Sequence, residues 1–306
     1  FDTLNIEEVS KDRVYVSGCR GSSPTNTHKV CINLAGGYRN GMEFILTGID
    51  IEAKAQIISD ALFNSVGGKE QFDEVSILLD RTDKKDPNSN EEAMASLRIS
   101  VKSKDPDLVG RMFTAKMIEL GLANYPGFFT GGGVRSGGPV LVYWPALIDS
   151  KHIEETVHID GKEINVKPTN QLDLEETYYQ KQPIEIPPPP SGQTLNKPLG
   201  ELFGARSGDK GGCANIGVWA KNENAFSFLN NYLTVEKIKE LMPDIREFEI
   251  ERYELPNILS LNFYIHDILE DGVSSNTRKD GQAKSLGEYL RAKYADIPKS
   301  LFEENI

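Results

Sequence analysis

Four stretches of the 306-residue chain set a cation among glycines: Gly18-Cys19-Arg20-Gly21, Gly36-Gly37-Tyr38-Arg39-Asn40-Gly41, the run GGGVRSGG from Gly131 to Gly138, and Arg206-Ser207-Gly208-Asp209-Lys210-Gly211-Gly212. Glycine lets neighbouring backbone N–H groups turn toward one point, and the arginine fork matches a carboxylate or a phosphate, so the chemistry these stretches suit is anion binding. The expected ligand contacts are Arg39 and Asn40, Arg135 and Ser136, and Arg206, Ser207 and Asn215. Trp144 would add an aromatic wall, or else pack at the rim of the core. Where such a stretch lies between strands, a turn with its arginine paired to a surface carboxylate accounts for the same residues.

Three residues could move protons. Asp209 and Lys210 sit side by side in the last stretch, either as an acid–base pair or as adjacent side chains that point apart. His28 opens a strand beside a loop and titrates near neutrality when unperturbed, although a lone histidine often serves structure alone. No metal site and no cofactor are expected. Cys19, Cys31 and Cys213 are widely spaced with no C-x-x-C pair, and His152 and His158 lack the H-E-x-x-H spacing. The phosphate loop of nucleotide hydrolases, the G-x-S-x-G elbow and the dinucleotide fingerprint are absent too.

The 34 basic against 46 acidic side chains leave a net charge of −12, which repels phosphate backbones and anionic headgroups and makes local cations the more telling. Nucleic acid and membrane are therefore not expected partners; no apolar run approaches the roughly 18 residues of a span. The composition, 39% apolar and 26% charged, is that of a soluble protein. The expected location is the cytoplasm, with the mitochondrial matrix as the alternative. Because the chain begins at Phe1, some upstream portion is expected to have been removed or left out.

The elements that must hold these residues follow from periodicity. Arg13 to Gly18, His28 to Leu34 and Glu43 to Gly48 are short, β-branched and bounded by glycine, as strands are. Asp50 is expected to cap a helix whose Ile51, Ala55, Ile58 and Leu62 share a face and which stops at Gly67-Gly68. Val75 to Leu79 and Ser96 to Val101 are strands, and a second helix after Pro106 places Val109, Phe113, Met117 and Leu120 on one face. A hairpin over Glu155 to Lys167 turns on Asp160-Gly161. The proline-rich stretch, with Pro187 to Pro190 and the possible anchors Tyr178 and Tyr179, reads as a semi-rigid spacer. It divides the chain into 1–167, a linker over 168–197, and 198–306. The last part repeats the rhythm: strands near Leu199 to Gly204 and Ala214 to Ala220 around a glycine-rich turn, a helix from Asn222 to Met242, paired strands over Phe248 to Glu254 and Ile258 to His266, and a closing helix with Ala283, Leu286, Leu290 and Tyr294 on one face. The expected class is α+β / α/β: a partial α/β domain of ββα units followed by a small ferredoxin-like α+β domain.

The strings TNTHKVCINLAGGYRN, FILTGIDIEAKA, NYPGFF, YWPALI, ARSGDKGGCANIGVWA and ERYELPNILSLNF resemble the acyclic terpene utilisation (AtuA-type) family. The resemblance runs from Phe1 to about Ile148 for the second half of that family's main domain, and from about Pro198 to Leu290 for its ferredoxin-like domain. It implies catabolism of acyclic terpenes such as citronellol and geraniol, carried as branched acyl-CoA thioesters alongside a biotin-dependent geranyl-CoA carboxylase. A lyase or hydration-type step on a branched acyl-CoA or terpenoid acid is the implied activity, with a noncatalytic subunit or scaffold as the alternative. An acyl-CoA would place its phosphates and carboxylate near Arg39, Arg135, Arg206 and Lys210, and its tail near Phe128, Phe129 and Trp144. The resemblance also implies a missing N-terminal half or a second polypeptide, and an oligomer. The loop at Thr130 to Gly138 departs from the family pattern, and Cys213 alone in the C-terminal part excludes an iron–sulfur cluster despite the domain's name.

Overall fold

The computed structural model describes residues 3–21, 25–123, 125–132, 136–166 and 184–303, without the side chains of Met117, Leu122 and Ala123. Arg135, Tyr178, Tyr179 and most of the proline-rich stretch lie outside the described residues. In chain order, β1 (Asn5–Ser10) and β2 (Arg13–Ser17) form a hairpin, followed by β3 (Thr27–Thr47), α1 (Ile51–Ser65), β4 (Glu74–Asp80), β5 (Met94–Ser103), α2 (Phe113–Ala123), β6 (Phe129–Thr130) and β7 (Gly138–Asp149). Then come β8 (Glu155–Ile159), β9 (Lys162–Val166), β10 (Thr194–Pro198), β11 (Gly204–Lys210), β12 (Cys213–Trp219), α3 (Glu223–Tyr232), α4 (Val235–Leu241), β13 (Ile250–Leu255), β14 (Ser260–Ile265), α5 (Leu286–Arg291), β15 (Tyr294–Pro298) and α6 (Ser300–Glu303). The class is mixed α/β with antiparallel sheets, as the alternating patterns implied. The chain falls into two units, 33–142 and the remainder (1–32 with 143–306).

The unit 33–142 is a sheet ordered β4-β5-β3-β6, with β7 also paired to β3. Side chains alternate across a strand, and the register brings Met42 opposite Ile99 and Phe44 opposite Leu97. That face is buried against Ile51, Ile58 and Leu62 of α1 and against Val109 and Phe113. The two strands expected on either side of Gly36-Gly37 are one 21-residue strand, β3. Gly37 takes φ +99° and bends the strand without ending it, and pairing with β5 begins at Tyr38. Asp50 does begin α1, its carbonyl accepting the first helical bond from the Lys54 N–H, but it takes a left-handed conformation with no side-chain cap bond, so the expected side-chain cap is corrected. The second helix is broken at Gly110, whose ψ of −128° is not helical, and runs regularly only from Phe113.

In the other unit the Asp160-Gly161 turn is observed, both residues at positive φ (49° and 71°), the geometry a two-residue hairpin loop needs to match strand twist. The four-stranded sheet β11-β12-β14-β13 is antiparallel throughout. Ile216 and Val218 of β12 and Leu261, Phe263 and Ile265 of β14 join Phe226 and Leu229 of α3, Ile238 of α4 and Leu290 of α5 in one core. Asn222 caps α3 by accepting the Ala225 N–H at 2.8 Å, and Thr234 caps α4, so the single expected helix is two. The C-terminal end of the expected spacer is held: Ile186 packs on the core, Ser227 donates to the Pro187 carbonyl at 2.5 Å, and β10 pairs with β15. Tyr294 is corrected from the closing helix to β15, because α5 ends at Arg291 and the chain then extends beside β10.

Candidate functional site

The core takes one face of the C-terminal sheet and leaves the other outside it. Register lines up that second face in rungs: Gly204 and Trp219; Arg206, Gly217, Asn262 and Tyr253; Gly208, Asn215, Tyr264 and Glu251; Lys210 and Cys213. Arg206 and Lys210, four residues apart on an extended strand, sit about 13 Å from each other. Arg206 is exposed and makes no hydrogen bond or ion pair among the described residues. Trp219 and Tyr253 are 42% and 48% exposed, large values for aromatics within a sheet. The Trp219 ring lies where a Cβ on residue 204 would stand, which accounts for glycine there.

Several expectations for this stretch are corrected. Arg206 to Lys210 is strand and not loop; only Gly211-Gly212 make the turn. Alternation therefore divides the cluster: Arg206, Lys210 and Asn215 share the outer face, while Ser207 and Asp209 face the core side. Ser207 is buried with its hydroxyl accepting the Gly287 N–H at 2.9 Å, a structural engagement that removes it from the ligand face. Lys210 Nζ donates to the backbone carbonyl of Asp209 at 3.0 Å and not to its carboxylate, so the two form no acid–base pair.

Of the remaining candidates, Arg39, Asn40, Phe128, Phe129 and Ser136 belong to the unit 33–142. Asn40 is buried in its own unit, its amide donating to the Val109 carbonyl at 2.8 Å and its oxygen accepting the Gly41 N–H at 2.9 Å; its hydrogen bonds hold β3 to the helical turn. Arg39 lies on the opposite side of β3, across from Lys102, which pairs with Glu74 at 2.6 Å. Phe128 is packed against Phe44 and Tyr125, ring centroids 5.6 and 6.0 Å away, which takes it out of the expected tail wall, whereas Phe129 is exposed. Ser136 and Trp144 are exposed. His28 lies 3.8 Å from Glu155, both substantially solvent-exposed.

The outer face also holds an acid–base group that the sequence reading did not single out. His266 Nε2 is 2.6 Å from Glu251, which also accepts the Tyr253 hydroxyl. The Tyr253 bond first, and His266 second, hold the Glu251 carboxyl below the usual range. Tyr264 packs edge-on to His266 at 4.9 Å. Its phenol is pushed up to about 12, first by a hydrogen bond with Cys213 and then by partial burial. A carboxylate that orients an imidazole beside a phenol held protonated can pass protons to a bound molecule. The missed signal was alternation: Leu261-Asn262-Phe263-Tyr264-Ile265-His266 places every second residue on the polar side. We predict that the Tyr264 phenolate absorbance emerges only as the pH approaches about 12, and that Cys213→Ala brings it down toward the ordinary value of about 10. An unshifted titration in that variant would remove the Cys213 contact from the account.

Among the described residues no cluster of His, Cys, Asp and Glu could hold a metal ion, and no helix is long and apolar enough to cross a membrane. No curated protein and no solved structure matches the chain. Two family models do. The acyclic terpene utilisation family protein AtuA matches residues 1–159, and the AtuA ferredoxin-like domain matches residues 197–295, which contains the whole four-stranded sheet. With more than half of its length under the first model and its C-terminal sheet under the second, the chain belongs to the acyclic terpene utilisation family.

Proposed function

We propose that the protein is an enzyme of terpenoid or branched-acid catabolism, which takes a branched-chain acyl-CoA or terpenoid acid on the outer face of the sheet within 198–306 for a lyase or hydration-type step. The observation that carries this reading is Arg206: a guanidinium without a partner among the described residues, in line with Lys210 and on the same face as the His266–Glu251 pair. Two cations about 13 Å apart suit an elongated polyanion. Steps next to a thioester carbonyl need a proton moved and an enolate stabilised, which fall here to His266, oriented by Glu251, and to the neighbouring cations.

The test is Arg206→Ala combined with Lys210→Ala in the whole chain. Both side chains are exposed, so the fold should be unchanged. Loss of charge-assisted bonds should weaken binding of isovaleryl-CoA about 10- to 100-fold by calorimetry, with turnover falling alongside. Undiminished affinity and turnover would remove the site.

One observation favours the reading as a noncatalytic subunit. Hairpin β8–β9 leaves Val157, Ile159, Ile164 and Val166 exposed, and register puts all four on one side. An isolated two-stranded ribbon is marginal without something against its apolar side. A stable hetero-complex by native mass measurement, with no turnover across a panel of acyl-CoA esters, is the result that reading expects.

A further inference from the structure

Within the outer face one patch lacks side chains. Gly217, in the middle of β12, has no positive φ, and a Cβ built there meets only the Arg206 carbonyl oxygen at an ordinary 3.7 Å. Its strand neighbours on the same face, Asn215 and Trp219, stand about 7 Å away on either side. Across the rung it lies between Arg206 on β11 and Asn262 on β14, with Tyr253 beyond. The result is a flat floor of backbone bounded by an arginine, two amides and two exposed aromatics.

The two amides are joined to each other. Asn215 Nδ2 donates to Asn262 Oδ1 at 2.9 Å, and neither side chain makes another hydrogen bond among the described residues. A carboxamide pair joined in this way leaves the oxygen of one group and the amino group of the other without a bond, whichever way round the two groups sit. Here these are Asn215 Oδ1 and Asn262 Nδ2, carried on adjacent rungs of the sheet. An acceptor next to a donor is the complement of the amino group and ring nitrogen along an adenine edge, the pattern asparagine reads when it pairs with adenine. On the N7 edge, where adenine offers the N6 amino group and N7, guanine offers two acceptors, O6 and N7, and would leave the asparagine acceptor unmatched. Aromatic and guanidinium groups around a flat floor also suit stacking against a planar base.

We propose that the Gly217 floor is an adenine subsite, in which the base lies on the β12 backbone, is read by Asn215 and Asn262, and is followed by phosphates directed to Arg206 and Lys210. This rests on the acyl-CoA reading only for the identity of the whole ligand; the subsite itself calls for an adenosine bisphosphate. It gives the C-terminal sheet a division of labour: nucleotide end over Gly217 and Arg206, reacting end toward His266 and Glu251.

The experiment uses the whole chain and two probes, adenosine 3′,5′-bisphosphate and isovaleryl-CoA, with guanosine 3′,5′-bisphosphate as the comparison, titrated by calorimetry into wild type, Gly217→Val and the Asn215→Ala/Asn262→Ala double variant. Valine suits a strand and has room at this position, so the melting temperature should hold. The expected result is that both probes bind wild type, that Gly217→Val loses at least about 10-fold for both, and that the guanosine counterpart binds about 10- to 100-fold more weakly than the adenosine bisphosphate, a preference the amide variant abolishes. If isovaleryl-CoA binds Gly217→Val as well as wild type, the adenine subsite is wrong while the acyl-CoA reading stands. If the bisphosphate binds and is lost in Gly217→Val, but isovaleryl-CoA binds no better and is not turned over, the subsite stands and the acyl-CoA reading falls. Binding of neither probe to wild type overturns both.

Discussion

Phe263→Ala should cost the C-terminal unit about 3–5 kcal/mol of unfolding free energy. Phe263 is 0% exposed in β14, an inner strand paired on both sides, with β12 and β13. It belongs to the cluster formed by Ile216, Val218, Phe226 and Leu229. Because β14 is hydrogen-bonded along both edges, it cannot shift far to fill the space a phenyl ring leaves, so the cavity term adds to the lost transfer energy. Trp144 and Trp219 are the only tryptophans and both belong to this unit, so intrinsic fluorescence in urea reports it. The midpoint should fall with the slope unchanged. Tyr253→Ala, on the neighbouring strand but on the outer face and 48% exposed, should change stability far less, by about 0.5 kcal/mol. Equal losses in the two variants would mean that the division of the sheet into a core face and a ligand face is wrong.

That division is also where sequence reading and structure part most usefully. Apolar periodicity located α1, and Ile51, Ala55, Ile58 and Leu62 are all buried as the spacing required. The Asp160-Gly161 turn was equally legible, because only a few residue pairs tolerate two consecutive positive φ values. The glycine-rich stretches were not. Glycine within them reads as a loop signal, yet Gly36, Gly37 and Gly208 lie inside strands. Once 204–210 is a strand, alternation sends Ser207 and Asp209 to one side and Arg206 and Lys210 to the other, so a cluster that was contiguous in sequence is divided in space. Conversely, Asn215, Asn262, Tyr264, Glu251 and His266 come from three strands and are joined only by register. Register depends on which strands pair, and local patterns do not record it.

Gly37→Ala should destabilise the 33–142 unit by about 2–4 kcal/mol, the sum of strain at a positive φ and crowding against backbone. Gly37 has φ +99°, a conformation alanine resists, and its added Cβ would stand 2.8 Å from the Ser103 carbonyl oxygen. That oxygen belongs to backbone at the end of β5, where Tyr38 pairs with Ser103, and it cannot rotate away as a side chain would. Relief requires β3 to straighten, which would pull Tyr38, Arg39 and Asn40 out of register and take the Asn40 amide away from the Val109 carbonyl. Hydrogen exchange of the β3 and β5 amides measures this directly, since their protection should drop in Gly37→Ala. Gly138→Ala supplies the comparison: it has no positive φ and nothing within 4 Å of its Cβ position, so it should be neutral or stabilising by up to about 1 kcal/mol through the unfolded chain. If Gly37→Ala behaves like Gly138→Ala, β3 does not bend there, and the two-strand reading of 28–48 returns with a turn between them.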